Sequence, residues 1–333
     1  MENRINDPQR ISGKPIDAIL ARGGRPTIQF SRPGYSKRLL KSVNELCREY
    51  GDRLEVRFYG HYSGSFDASI LSHIPDVRWL SVDCLQHIEN ASSVCSLQNV
   101  TSLSFDVYYF DQPDFLSRLG LEQLTRLSLV DNQKRNMDLQ YFERCAELDT
   151  LFLGGFTKNI DSIALAPKLR EMSLGSIPKK QPLDFVNRMD QLRELTIVLG
   201  GRDSIDELHN SNVERLDVLR VRGLTTLGDL SRFSSLRTLS VEDQLKILDI
   251  SFVGTSLEEI AIYNCKSLNR LDGVLELPNL KSFRVSRTKL DLDELMAANW
   301  QDSVDVLALY STSQKWNDLC RAKLDSEGYR EFS

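Results

Sequence analysis

What this 333-residue chain lacks narrows its class before any motif is weighed. No apolar run approaches the length that spans a bilayer and mean hydropathy is −0.31, so no transmembrane helix is expected. The first residues, MENRINDPQRISGKPIDAIL, contain no apolar core of the secretory kind, which sets the expectation of a cytoplasmic protein without a membrane partner. Positive charge is not in excess: 42 Lys and Arg against 47 Asp and Glu give a net charge of −5 and a pI of about 5.6. With no basic run of five or more, a nucleic-acid partner is not expected. The six cysteines, Cys47, Cys84, Cys95, Cys145, Cys265 and Cys320, form no CxxC or CxxH pair, so they read as reduced thiols rather than zinc ligands. Histidine is scarcer still. His61, His73, His87 and His209 share no short metal or acid–base spacing and read as loop residues facing solvent. The chain also lacks GxxxxGK[ST], GxGxxG, GxSxG and HExxH. No catalytic residue, metal or cofactor is expected, and the protein reads as non-enzymatic.

Leucine is what the chain has in excess: 50 residues, 46 of them after Gly51. They fall into one recurring six-residue phrase, apolar-x-x-apolar-x-apolar. It appears as RLEVRF (53–58), VRWLSV (77–82), VTSLSF (100–105), LTRLSL (124–129), LDTLFL (148–153) and LREMSL (169–174). It continues as LRELTI (192–197), LDVLRV (216–221), LRTLSV (236–241), LEEIAI (257–262), LKSFRV (280–285) and VDVLAL (304–309). Arg53 is the one polar residue at a first, fourth or sixth position. The fourth positions, from Val56 to Leu307, recur about every 23 residues, a period that identifies a repeat array. Within a copy, the fourth and sixth side chains point to one face of a strand while the third, fifth and seventh point to the other. One copy cannot bury its apolar face alone, so copies must stack as parallel strands.

These copies, best seen in SLNRLDGVLELPNLKSFRVSRTKL (267–290), resemble the leucine-rich-repeat superfamily in its short class, that of internalins and phosphatase-1 regulators. The resemblance implies an α/β solenoid: a curved horseshoe with a parallel sheet on the concave face, 3-10 turns and irregular coil on the convex side, and helical caps. Four segments are expected: a flexible 1–25, a β-α-β cap and first coil over 26–59, the repeat array over 60–312, and a cap helix over 313–333 closed by Trp316, Leu319, Leu324, Tyr329 and Phe332. The family's ninth-position Asn appears as Asn132 and is replaced by Cys265, Gln244 and others, so a continuous side-chain ladder is not expected.

The outward positions then define a surface. Small residues, Ser81, Ser104, Ser128, Ser173, Thr196, Ser240, Ala261 and Ala308, fill most fifth positions, and Arg57, Phe152, Arg220 and Arg284 interrupt them. Aromatic residues and arginine dominate interface energetics. The partner-binding candidates are therefore Arg57, Tyr59, Trp79, Asp83, Asp106, Tyr108, Arg126, Phe152, Arg220, Arg222, Tyr263, Arg284 and Tyr310. Trp79 is the sharpest of these, because an outward Trp calls for a cover from the N-terminal segment or a ligand. Acidic outward residues in the early and middle coils (Asp83, Asp106, Asp131, Glu171, Glu194, Glu242, Glu259) suggest a partner with a basic patch. The function expected is a non-catalytic protein-binding scaffold, with a neutralising inhibitor or immunity-type protein and a phosphatase-regulator-like adaptor as alternatives. A hydrolase and a nucleic-acid binder rank below these, and the oligomeric state is left open.

Overall fold

The computed structural model describes residues 3–61 and 64–331. It divides into two compact units, Met1–Leu169 and Arg170–Ser333. The first unit contains β1 (Arg4–Asn6), α1 (Gly13–Ala21), β2 (Thr27–Phe30), α2 (Lys37–Tyr50), β3 (Glu55–Gly60), β4 (Phe66–Asp67), β5 (Trp79–Leu85), β6 (Ile88–Glu89), α3 (Ser92–Cys95), β7 (Ser102–Val107), α4 (Phe115–Arg118), β8 (Arg126–Val130) and β9 (Thr150–Gly154). Its main sheet is parallel in the order β1-β2-β3-β5-β7-β8-β9, with β4 and β6 paired separately. The second unit contains β10 (Glu171–Gly175), β11 (Glu194–Val198), β12 (Arg215–Leu219), β13 (Thr238–Glu242), β14 (Asp249–Ser251), β15 (Glu259–Tyr263), β16 (Arg270–Asp272), β17 (Ser282–Ser286), α5 (Leu292–Ala297), β18 (Val306–Tyr310) and α6 (Gln314–Ser326). Its main sheet runs β10-β11-β12-β13-β15-β17-β18, again parallel, and β14 pairs with β16. Short 3-10 turns such as Ile160–Leu165 and Asp184–Arg188 return the chain from strand to strand.

The alternation read from the phrase is the alternation of burial. Leu103 and Phe105, Leu127 and Leu129, Leu239 and Val241, and Ile260 and Ile262 are buried, while the residues between them are not. Each buried pair meets its counterparts in the neighbouring coils, so apolar surface leaves water only by stacking.

One coil departs from the sequence register. β12 pairs Leu216 with Leu195 on one side and Leu239 on the other, so Leu216, not Leu219, holds the fourth position. The phrase there is VERLDV (213–218), and Val213, Leu216 and Val218 are buried. The overlapping LDVLRV imitates it because Leu216, Leu219 and Val221 repeat the same spacing three residues later. With this correction the second unit's fourth positions from Met172 through Leu195, Leu216, Leu239 and Ile260 to Phe283 are separated alternately by 23 and 21 residues, and Leu307 follows after 24.

A backbone feature marks the true register. The eighth position of most coils is left-handed: Gly60, Cys84, Gly155, Ser176, Leu199, Arg220, Asp243, Asn264 and Arg287 all have φ between 48° and 76°. In the second unit the amides from Ser176 to Asn264 donate to the carbonyl at the end of the next strand, as in Leu199 N to Leu219 O (2.9 Å), Arg220 N to Glu242 O (3.0 Å) and Asp243 N to Tyr263 O (2.9 Å). Just beyond, two successive coils carry a short side-chain ladder. Gln244 Nε2 donates to Val218 O and Glu242 O, and Cys265 Sγ lies against Val241 O and Tyr263 O in the same pattern one coil later.

The two ends also differ from expectation. Residues 4–25, expected to be flexible, carry β1 and α1. β1 adds a strand beside β2, Ile16 and Ile19 are buried, and Tyr50 of α2 donates to Asp17 Oδ1 at 2.8 Å. Two isoleucines one helical turn apart are enough to seat α1. At the other end, α6 buries Cys320 and Leu324, whereas Leu319 faces solvent, and Phe332 lies outside the described residues. Arg330 joins the edge of β18: its amide donates to Asp305 O and its carbonyl accepts from Leu307 N. His61, expected to face solvent, is buried. Its Nδ1 lies 2.9 Å from Tyr59 O and burial lowers its pKa.

The left-handed position yields a paired prediction. Arg287 (φ 53°) is exposed, and a left-handed conformation costs an L-residue about 1–2 kcal/mol, so Arg287→Gly is expected to stabilise the protein by about 0.5–1 kcal/mol in urea unfolding. Gly155→Ala is expected to destabilise, since its Cβ would stand 2.4 Å from Asp131 Cβ at φ +76°.

Candidate functional site

Stacking turns outward positions into rows. In the first unit the third positions align as Arg4, Thr27, Glu55, Trp79, Ser102, Arg126 and Thr150, and the fifth as Asn6, Gln29, Arg57, Ser81, Ser104, Ser128 and Phe152. Serines form a low floor between large residues at either end of the rows. The result is a depression of about 440 Å³ walled by Arg57 and Trp79 on one side and Arg126 and Phe152 on the other. Five candidates thus meet in one place: Arg57, Trp79, Asp83, Arg126 and Phe152. Thr27 and Glu55, which lie in the expected cap strand and first phrase but were not candidates, join them, as does Arg4 from a segment not read as part of the sheet.

The polar groups at this end are held from behind. Glu55 accepts from Thr27 Oγ1 (2.8 Å) and Ser81 Oγ (2.5 Å). Arg57 Nε donates to Asp83 Oδ1 at 2.8 Å, with both side chains less than a fifth exposed, and its guanidinium lies 4.6 Å from the Tyr59 ring centre. Trp79 has the cover its position demands: the Arg25 guanidinium sits 5.7 Å from the ring centre, a cation–π contact supplied by the N-terminal segment. Its remaining surface lines the depression.

Asp106 and Tyr108 are not part of it. Asp106 Oδ2 accepts from the Cys84 amide (3.2 Å). Tyr108 is half exposed and meets Tyr109 edge to face, and Tyr109 in turn stacks on His87 at 4.7 Å. That aromatic trio was missed as a group, because it depends on loops of different coils coming together.

In the second unit, Arg220, Tyr263, Arg284 and Tyr310 line a second depression of about 650 Å³, and Arg220 and Arg222 line a neighbouring one of about 600 Å³. Arg220 does not interrupt the fifth row as expected. The corrected register puts Asp217 there, bonded to Arg215 (2.9 Å), and moves Arg220 to the turn, where it pairs with Asp243 at 2.6 Å. The Tyr310 hydroxyl is committed to Glu331, and burial together with that bond pushes its pKa up to about 12.

The acidic residues that suggested a basic partner are largely engaged. Asp83 is bonded to Arg57, Asp131 to Arg135 (2.7 Å), and Glu194 and Glu259 flank Arg215. By contrast, the Arg4 and Arg126 side chains make no ion pair with a described residue, so the first depression sets these two arginines against one carboxylate, Glu55, that accepts from hydroxyls. Among the described residues no group of three or more His, Cys, Asp or Glu is placed to hold a metal, and no helix is long and apolar enough to cross a membrane.

No family model and no curated protein matches the chain. Solved structures do. An internalin from Listeria monocytogenes is similar with a TM-score of 0.55 and 16% identity, over 86% of this chain and 79% of that one. The Drosophila Toll–Spatzle complex is similar with a TM-score of 0.50 and 14% identity, over 96% of this chain and 47% of that one; the present chain spans under half of that relative's length. The protein thus has the leucine-rich-repeat solenoid fold, with the parallel main strands, 3-10 returns and terminal helices described above.

Burial raises the carboxyl pKa of Asp106, with the Cys84 amide opposing it, and raises that of Asp83 despite Arg57. A carboxyl whose pKa is higher in the folded state than in the unfolded one costs stability as pH rises from its ordinary value, 3.8, through the raised one. Asp106→Asn removes that cost. Its unfolding temperature, measured across this range, is expected to fall less with rising pH than that of the unaltered protein.

Proposed function

We propose that the protein is a non-catalytic binding module that takes up a partner protein on its outward strand face, centred on the depression of the first unit. One observation carries this reading: Trp79, Arg57, Arg126 and Phe152 rise around a serine floor, so large interface-forming side chains surround a surface low enough for another molecule to enter. Phe152 remains 36% exposed. An apolar side chain in that position gains by being covered. Toll, which shares the fold, occurs in complex with Spatzle, and this lends general support to a protein partner.

The charge pattern favours a partner that presents carboxylates to Arg4 and Arg126, the reverse of the basic patch expected from composition. The inhibitor reading, which relied on an acidic face against a basic target, is correspondingly disfavoured.

The test is capture of partners from a lysate of the source organism by the intact chain, with the Trp79→Ala/Phe152→Ala variant alongside and circular dichroism confirming its fold. Loss of one buried aromatic anchor typically costs about 2 kcal/mol, roughly 30-fold in affinity. The variant is expected to lose the partners specifically retained by the unaltered protein. An unchanged set, retained with unchanged affinity, refutes the assignment of this face.

A further inference from the structure

The 600 Å³ depression of the second unit has a composition unlike the rest of this acidic chain. Its lining includes Arg220, Arg222, Lys246 and Lys266 against a single carboxylate, Asp243. That carboxylate is already engaged: Oδ2 accepts from Arg220 Nε at 2.6 Å and Oδ1 from the Asn264 amide group. These bonds hold its pKa below the usual value. Arg222 spends one N–H on Gly200 O (3.2 Å), and neither it nor Lys246 or Lys266 forms an ion pair with a described residue. Four cations against one carboxylate leave the concavity with an excess of three positive charges, although Lys266 lies near enough to Asp243 to help lower its pKa.

Their arrangement follows from the corrected register. In three successive coils the eighth positions are Arg220, Asp243 and Asn264, all left-handed, and the tenth positions two residues on are Arg222, Leu245 and Lys266. Stacking places Arg222 and Lys266 about 10 Å apart, two strand spacings, with Leu245 between them. Leu245 is 60% exposed, and with Val221 it gives the concavity an apolar wall. A volume of this size, apolar on one side with a few convergent charges, is typical of small-ligand sites.

We propose that this depression binds an organic phosphate: a phosphoryl group held by Arg222, Lys246 and Lys266, with an apolar body resting on Leu245. A phosphoryl dianion offers three acceptor oxygens and close to two charges, which suits three separate cations better than a monocarboxylate does. The site lies in the second unit and shares no residue with the first depression, so its test is independent of the proposed partner face.

Calorimetric titration of the full chain with phenyl phosphate, inorganic phosphate and a short phosphotyrosine peptide tests the proposal. Phenyl phosphate is expected to bind about tenfold more tightly than inorganic phosphate, and binding is expected to weaken with salt. Lys246→Ala/Lys266→Ala is expected to lower that affinity about tenfold or more, and Leu245→Ser to erase the preference for the phenyl compound. All three residues are exposed, so these variants should fold normally, which circular dichroism checks. Tighter binding of the peptide than of phenyl phosphate would identify a phosphorylated polypeptide as the source, and equal or weaker binding a free organic phosphate. Absence of binding, or binding that the double lysine variant leaves unchanged, overturns the site.

Discussion

The structure depends on closing most of its main strands with a left-handed residue. A strand that carries two apolar side chains on one face must end at a fixed place, or the next coil would stack out of phase and turn its apolar pair to water. The eighth-position turn supplies that ending. Its amide reaches the next strand's carbonyl, as Arg220 N reaches Glu242 O, so each turn also sets the register of its neighbour. Glycine meets this need without strain at Gly60 and Gly155, yet elsewhere the position holds Leu199, Arg220 and Arg287. Stacking of the buried pairs therefore outweighs a local cost of about 1–2 kcal/mol per turn.

Much of the fold was legible because its signal is redundant. Leu103, Leu127, Leu151 and Leu239 announce the same face repeatedly, and errors in one copy are corrected by the others. The coil at 213–218 escaped because its own apolar spacing is ambiguous: Leu216 serves either as the first residue of one phrase or the fourth of another, and only the pairing of β12 with β11 and β13 decides. The left-handed position could not be found from residue type, since Gly, Cys, Ser, Leu, Arg, Asp and Asn all occupy it. β1 was hidden for the opposite reason: a three-residue strand with one apolar residue, Ile5, forms no pattern of its own.

The candidate surface was legible in part, for the same physical reasons. Trp79, Arg126 and Phe152 lie in the outward rows because the two-residue alternation of a strand fixes where each side chain points. Pairing between side chains of different coils does not follow from alternation, so the engagement of Asp83 by Arg57 and of Asp243 by Arg220 was invisible. Charge counted along the sequence accordingly misjudged the field at the two depressions: Asp83 and Asp243 there are matched locally, while Arg4, Arg126, Arg222, Lys246 and Lys266 pair with no described carboxylate.

The contact of Arg330 with β18 bears on a different property. A parallel sheet built from near-equivalent strands is a template at its outer edge, ready to accept any extended chain, including another copy of itself. By giving an amide to Asp305 O and taking one from Leu307 N, Arg330 occupies two of the groups that such a chain would use. Colloidal behaviour is thereby tied to a few residues at one margin of the sheet, and loss of that contact would open a route to end-to-end polymerisation without altering a single buried leucine.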